Sequence, residues 1–209
     1  RFAFRHPMIR TVAYESQLRS DRAEIHRNLA SVLERSDPGA ADENAALIAE
    51  HYDAAGEWAA AYDWHMRAAS WSASRDIRAA QTNWRRARDA ADRLPGQDSD
   101  TLAKRVAART SLCASAWRSD DAIADTGFDE LRELCDVSGD KVSLAIGMSG
   151  AVTATLFDRR YFDAARMSID NVALLEAIGD PALFAGTSMA AVNALWQAGE
   201  ATSALRLIE

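Results

Sequence analysis

The chain has few of the residues that cross-link a protein or mark a catalytic site. Its two cysteines, Cys113 and Cys135, stand at no paired or metal-ligand spacing, which favours a reduced cytoplasmic compartment. His51 and His65 lack Cys or carboxylate partners at ligand spacing. No G-x-x-x-x-G-K-[ST] motif, nucleophile elbow or isolated carboxylate pair occurs in the 209 residues. We therefore expect no catalytic site, metal site or cofactor in this segment.

The chain has no excess of positive charge and few long apolar runs. The formal net charge is -7 at pH 7 and the pI is about 5.2, whereas surfaces that bind phosphate are basic. Direct binding to nucleic acid or to an anionic membrane is therefore not expected. Residues 181–198 carry no charge, but they begin with proline, include Asn193 and Gln197, and are rich in alanine. This pattern predicts a helix buried from several sides rather than a membrane span.

Helical periodicity runs through the body of the chain. Apolar residues recur three and four apart, as in Leu47, Ile48 and Tyr52, between turn signals near Pro38, Pro95, residues 138–140 and residues 179–181. Strand-like alternation occurs only in RFAFR at the start of the chain. With 48% hydrophobic residues, the chain can bury a core of its own as one domain or two small ones. The sequence predicts an all-α fold with short turns.

The helical segments share a register of small and bulky residues. A small residue near a helix start lets the preceding helix approach, and a bulky residue four positions later fills the space against the next pair. The small and bulky members of the four repeats are Ala61 and His65, Ala80 and Trp84, Ala165 and Ile169, and Ala204 and Ile208. Because each hairpin buries only part of its apolar surface, neighbours must stack, which predicts an α-α superhelix.

This register resembles the tetratricopeptide repeat, most clearly in residues 48–69, IAEHYDAAGEWAAAYDWHMRAA. Later repeats resemble the longer, degenerate repeats of large bacterial signalling ATPases, since the step from Ala165 to Ala204 is longer than usual. The sequence departs from the pattern at His65, where an aromatic residue is usual, and over residues 119–128. The resemblance implies a TPR-like solenoid.

The opening stretch FRHPMIRTVAYESQL has a separate interpretation. Pro7 is suited to the first position of a helix, which places His6 beside unpaired amides at the positive helix end. With EIHRNLA and ENAALIAEHYDAAGEW, the stretch is similar to the winged-helix end of the ATPase module in actinobacterial STAND/AAA-type signalling proteins. The resemblance implies that His6 senses the phosphates of ADP, and that the parent protein binds ATP or ADP with magnesium. The alternative, favoured for this segment, is that His6 only caps its helix.

Aromatic and basic residues give a second set of candidates. Trp64 and Trp71 are seven positions apart on one helical face, and either can anchor a partner on a concave solenoid surface. Arg75, Arg78 and Arg85 can contact phosphate or an acidic partner. Ordinary core packing of the tryptophans and a solvated arginine face are the favoured alternatives.

The sequence predicts a regulatory interaction segment rather than an enzyme. Residues 1–36 would be the end of an ATPase module, and residues 40–209 would be repeats that bind a protein partner or a small effector. The phrases AYESQL and FDELREL look more like the group linked to class III adenylate or guanylate cyclases. A LuxR-type transcriptional regulator and a free-standing repeat scaffold are the alternatives.

Both ends of the sequence are expected to be cuts within a longer protein. The chain begins at Arg1 without a signal peptide, and ALRLIE stops in mid-pattern without a cap or glycine. The helix that carries Leu205, Leu207 and Ile208 lacks its next repeat, so its apolar face is expected to support a homodimer.

Overall fold

The computed structural model describes residues 7–36, 40–118 and 127–208, and every regular element in these ranges is a helix. The predicted all-α fold is confirmed. RFAFR and His6 lie outside the described residues, so the predicted strand and nucleotide-sensing role stay predictions. The helices are α1 (Pro7–Glu15), α2 (Arg19–Ser36), α3 (Ala45–Ala55), α4 (Trp58–Ser72), α5 (Ile77–Asp92), α6 (Ser99–Ser115), α7 (Phe128–Ser138), α8 (Lys141–Phe157), α9 (Tyr161–Ile178), α10 (Pro181–Gln197) and α11 (Ala201–Arg206).

The predicted turn signals coincide with helix boundaries where the structure describes them. Pro7 is the first residue of α1, as its fixed φ angle suggests. Between α9 and α10, Gly179 ends one helix at φ 71°, Asp180 accepts hydrogen bonds from the amides of the next, and Pro181 begins it. Local chemistry therefore sets where these helices stop and start.

From α2 to α5, each helix packs mainly against its neighbours in sequence. Further along the chain, α6 packs more extensively against α8 than against α7, and α10 packs against α8 as well as α9. The buried residues accordingly form several clusters rather than one core: one spans α2 to α6, another spans α6 to α8, and two more join α8 to α11. Contacts limited to neighbouring elements are the defining property of a solenoid.

The predicted repeat register is correct for small residues and partly wrong for bulky ones. Ala61, Ala80, Ala165 and Ala204 are all buried at close helix contacts. His65 and Trp84 are buried as predicted, but Ile169 is 58% exposed and Ile208 is 66% exposed. In α9 the buried positions are instead taken by Ala164, Ala165, Ser168, Asn171 and Leu175. The helix α9 is therefore rotated relative to the register that the first repeats suggest. Ile208 follows α11, on the end face that is expected to lack its next repeat.

The prediction that residues 181–198 form a helix buried from several sides is also wrong. The stretch forms α10, but its buried residues are only Ala191, Ala194 and Leu195. Met189 and Trp196 are largely exposed. The absence of charge in this run therefore does not mean that other helices surround it.

Candidate functional site

A groove of about 370 Å³ lies where α8 meets α6 and α10. Its walls come from these three helices and from a 3₁₀ turn at Ala116–Arg118 that follows α6. The lining residues are Ala114, Trp117, Ile146, Ser149, Gly150, Thr153, Gly186, Thr187, Met189, Ala190 and Asn193. The volume falls within the range of ordinary small-molecule sites.

None of these lining residues is charged, although charged residues make up 26% of the chain. The hydroxyls of Ser149, Thr153 and Thr187 donate to helix carbonyls four residues earlier, at 2.7 to 3.0 Å. The Asn193 side chain and the Trp117 indole are both exposed, and neither makes a hydrogen bond with another described residue. The groove therefore offers an apolar surface with an amide and an indole donor free for a ligand.

One edge of the groove is aromatic. The rings of Trp117 and Phe157 stack with centroids 6.2 Å apart and planes 15° apart. Both side chains remain substantially exposed, at 44% and 68%. An exposed, stacked pair presents apolar faces to solvent, which suits contact with a planar ligand group.

The floor and the opposite wall contain glycines with different surroundings. A Cβ at Gly150 would overlap the Cys113 carbonyl oxygen, so glycine is required for α6 to approach α8. Gly186, an exposed residue within α10, differs because a Cβ there would meet no heavy atom of the described residues within 4 Å. Gly186 therefore leaves open space on the groove wall that no described residue fills.

A buried hydrogen bond positions a residue on the floor of the groove. The Asn171 side chain, 1% exposed, donates from Nδ2 to the Ser149 hydroxyl at 2.8 Å. Its carbonyl oxygen has no hydrogen-bond partner in the described structure. This contact links α9 to α8 and fixes the Ser149 side chain on the groove floor.

The predicted anchors Trp64 and Trp71 lie on α4, away from this groove. The Trp64 indole N–H donates to Glu34 on α2 at 2.7 Å, and its ring packs against the core cluster of α2 to α6. The Trp71 ring lies under the Arg75 guanidinium at 4.7 Å. Both rings therefore have intramolecular partners, and their role as partner-binding anchors stays a prediction.

The predicted arginines lie just after the end of α4 and along α5. Arg75 follows α4 and donates to the Trp71 carbonyl at 2.5 Å. Arg78 is exposed near the start of α5, and Arg85 is half-buried two turns later. The predicted contact of Arg75, Arg78 and Arg85 with phosphate or an acidic partner stays a prediction.

His65 serves the core rather than a surface. Its ring is completely buried, with Nδ1 2.9 Å from the Asn83 side-chain oxygen and Nε2 2.8 Å from an Asp53 carboxylate oxygen. The ring thus contacts a side-chain amide oxygen on one side and a carboxylate oxygen on the other. The network ties α4 to α3 and α5, which gives this buried histidine a role in helix packing.

A second histidine contact joins α1, α2 and α3. The Tyr14 hydroxyl lies 2.9 Å from His26 Nε2, and His26 Nδ1 lies 2.9 Å from His51 Nδ1. Burial, together with the nearby His26, lowers the pKa of His51 below its ordinary value. Sequence spacing alone does not bring His26 and His51 together, since they belong to different helices.

A charged cleft of about 470 Å³ lies between the end of α5, α6 and α7. Its most buried polar residue, Arg109, forms two hydrogen bonds with the Asp92 carboxylate, at 2.9 and 3.1 Å. Arg105 donates to the carbonyls of Ala91 and Leu94. Most donors of this cleft are thus already used within the fold, although the buried Arg109 Nε has no hydrogen-bond partner among the described residues.

The two cysteines are buried and form no disulfide with each other. Burial raises the pKa of Cys135 to about 11, which keeps this thiol protonated near neutral pH. Residues 7–36, 40–118 and 127–208 contain no group of three or more His, Cys, Asp or Glu side chains placed to hold a metal ion. None of the described helices combines the length and apolar character needed to cross a bilayer.

Sequence analysis missed the groove residues because they come from three separate helices. The available signal was the uncharged run 181–198, which contains a glycine without an evident turn or cap function. The repeat interpretation assigned that run to the interior and so overlooked Gly186 and Asn193. Comparisons with protein-family models, with curated proteins and with solved structures each gave no match.

Proposed function

We propose that this chain is the ligand-sensing repeat segment of a signalling ATPase of the STAND type, and that it acts in a reduced cytoplasmic compartment. The observation that carries the sensing role is the uncharged groove between α6, α8 and α10. A concave surface with few polar groups and an aromatic edge is typical of a binding site. The absence of a disulfide between Cys113 and Cys135 is compatible with the proposed compartment.

The proposed joint with the ATPase module is α2. Three apolar side chains, Ile25, Leu29 and Val32, are exposed at helical spacing on this helix. They stand four and three residues apart, so they lie on one face. An adjoining module that packs on this face would be sensitive to the repeats, because the opposite side of α2 shares a core cluster with α3 and α4. This arrangement supports regulation in cis, with ATP or ADP and magnesium bound by the ATPase module.

The resemblance of the opening residues makes a class III adenylate or guanylate cyclase the favoured output of the whole protein. The experiment uses the longer protein that contains this chain, with and without residues 40–209. Cyclic AMP and phosphate release are measured with ATP, magnesium and manganese. We expect cyclic AMP formation that changes when the repeats are deleted.

A double substitution tests the joint itself. Ile25→Glu with Leu29→Glu should reproduce the effect of the deletion, because it places charge on the face that the ATPase module would cover. Val142→Glu is the matched control, since Val142 is similarly exposed but lies on α8. Phosphate release without cyclic nucleotide would favour a LuxR-type regulator instead. Absence of both products would favour a free-standing scaffold.

A further inference from the structure

The fold does not account for Gly186. Glycine destabilises the interior of a helix relative to alanine, and Gly186 lies inside α10 with ordinary helical geometry. Gly147 and Gly150 on α8 differ, because a Cβ at either position would overlap a neighbouring helix. At Gly186 a Cβ would enter open space on the wall of the groove. No described contact therefore requires a residue without a side chain at this position.

We propose that the groove binds a neutral small molecule with a planar apolar face, and that Gly186 is the residue that admits it. The inference rests on the sensing role proposed above and adds the chemical class of the ligand. The small molecule would occupy the space that a side chain at Gly186 would otherwise fill. Glycine is then explained by ligand contact rather than by helix packing.

Because its described lining is uncharged, the groove favours a neutral ligand. An ionic group within the groove would lose water without gaining a partner of opposite charge, because none of the described lining residues is charged. The nearby Arg118 guanidinium, 6.0 Å from the Trp117 ring centroid, donates to the Ala73 carbonyl and is not among these lining residues. For a neutral molecule, the free energy cost of losing its hydrating water on entering the groove is smaller. Its polar atoms can pair with the Asn193 amide and the Trp117 indole N–H, which have no partner among the described residues.

The small side chains on the groove walls favour a ligand with a planar group. Ala114, Gly150 and Ala190 present little side-chain bulk, so a ring can approach the helix backbones closely. Trp117, stacked on Phe157, offers an aromatic face at the edge. Met189, which is 63% exposed, can adjust to the outline of a ligand.

The test compares two fluorescent probes that share one ring system, using this chain alone. N-phenyl-1-naphthylamine is neutral, and 1-anilinonaphthalene-8-sulfonate carries a sulfonate. We expect saturable binding of the neutral probe with a Kd on the order of 10 to 100 µM. The anionic probe should bind at least about tenfold more weakly, because its charge has no partner in the groove.

Substitutions assign the binding to this groove. Gly186→Ala should raise Tm by about 1 to 4 °C and also weaken binding of the neutral probe roughly threefold to tenfold. Gly186→Leu should weaken binding by more than about tenfold. Ala182→Leu is the matched control, because Ala182 is an exposed residue of α10 that does not line the groove, and its affinity should equal that of the unmodified chain.

Four results would overturn the inference. They are non-saturable binding of the neutral probe, equal affinity for the two probes, full affinity in the Gly186→Ala variant, and conversion of a dimer to a monomer by Gly186→Leu in light scattering. The last result would assign the groove to a second copy of the chain. Because no ATPase or cyclase is present in this test, its failure is distinct from a negative result in the deletion experiment.

Discussion

Gly150 and Gly186 stand on adjacent helices of one groove, but only Gly150 has a packing partner. A Cβ at Gly150 would come within 2.5 Å of the Ala114 Cα and closer still to the Cys113 carbonyl oxygen. These are backbone atoms, which cannot rotate away as a side chain can. The contact between α6 and α8 therefore depends on the smallest residue at this point.

Gly150→Ala should destabilise the protein by about 1 to 3 kcal/mol, because α8 must move away from α6 to admit the methyl group. Urea unfolding followed by circular dichroism measures the change in the free energy of unfolding. Gly186→Ala is the matched control and should stabilise the protein by about 0.5 to 1 kcal/mol through helix propensity. Equal stability of Gly150→Ala and the unmodified chain would contradict the proposed close contact.

At the scale of helices, polar contacts fix α2 against the repeats. Glu34 accepts hydrogen bonds from the Tyr52 hydroxyl and the Trp64 indole, each at 2.7 Å. His26 meets His51 on α3, and one of the two facing Nδ1 atoms must carry a proton while the other accepts it. If both rings were charged, two N–H groups would face each other. The junction of α2 and α3 is therefore sensitive to acid.

The lowered pKa of His51 predicts the direction of this pH dependence. The folded state binds fewer protons than the unfolded state below the ordinary histidine pKa of 6.5. The stabilising contribution is therefore present above pH 6.5 and is lost as the pH falls towards the folded pKa. The free energy of unfolding, measured by urea titration between about pH 7.5 and 5, should fall more steeply in the unmodified chain than in His51→Gln.

The carboxylates contribute the same pH dependence to the free energy of unfolding of both proteins, since the unmodified chain and His51→Gln contain the same carboxylates. His65→Gln is not a suitable control because that ring is buried in the core. Identical pH dependence in the unmodified chain and in His51→Gln would show that the His26–His51 contact does not contribute to acid sensitivity.

At the scale of the whole molecule, the stack exposes apolar side chains at both ends. Ile25 and Leu29 are exposed on α2, and Leu205 and Ile208 are exposed at 54% and 66% at the other end. Trp196, at 60%, adds to the apolar surface near α11. Neighbouring repeats normally cover such faces in a solenoid, which is why terminal repeats are usually polar on the outside.

We expect the chain to self-associate through the end that carries Leu205 and Ile208. Light scattering at high concentration should give a mass above the monomer value of 22.8 kDa. Leu205→Glu with Ile208→Glu should restore the monomer, because charge on both sides of the interface is costly to bury. Val137→Glu on α7 is the control and should leave the mass unchanged. A monomeric unmodified chain would rule out this interface.

The sequence by itself determined the elements and much of their packing chemistry. Capping residues and prolines act within a few positions, so the boundary at residues 179–181 could be predicted locally. The buried alanines were also predictable, since small residues at helical spacing allow close helix approach. The same reasoning identified an all-α stack from periodicity alone.

Only the tertiary structure decided which faces became sites. Ile169 matches the repeat spacing but is exposed, because the rotation of α9 places Ser168 and Asn171 against its neighbours instead. The groove and the His26–His51 contact join residues that are distant in sequence. Their formation depends on helix crossing and rotation, which follow from the summed packing of several helices and not from the spacing within any one of them.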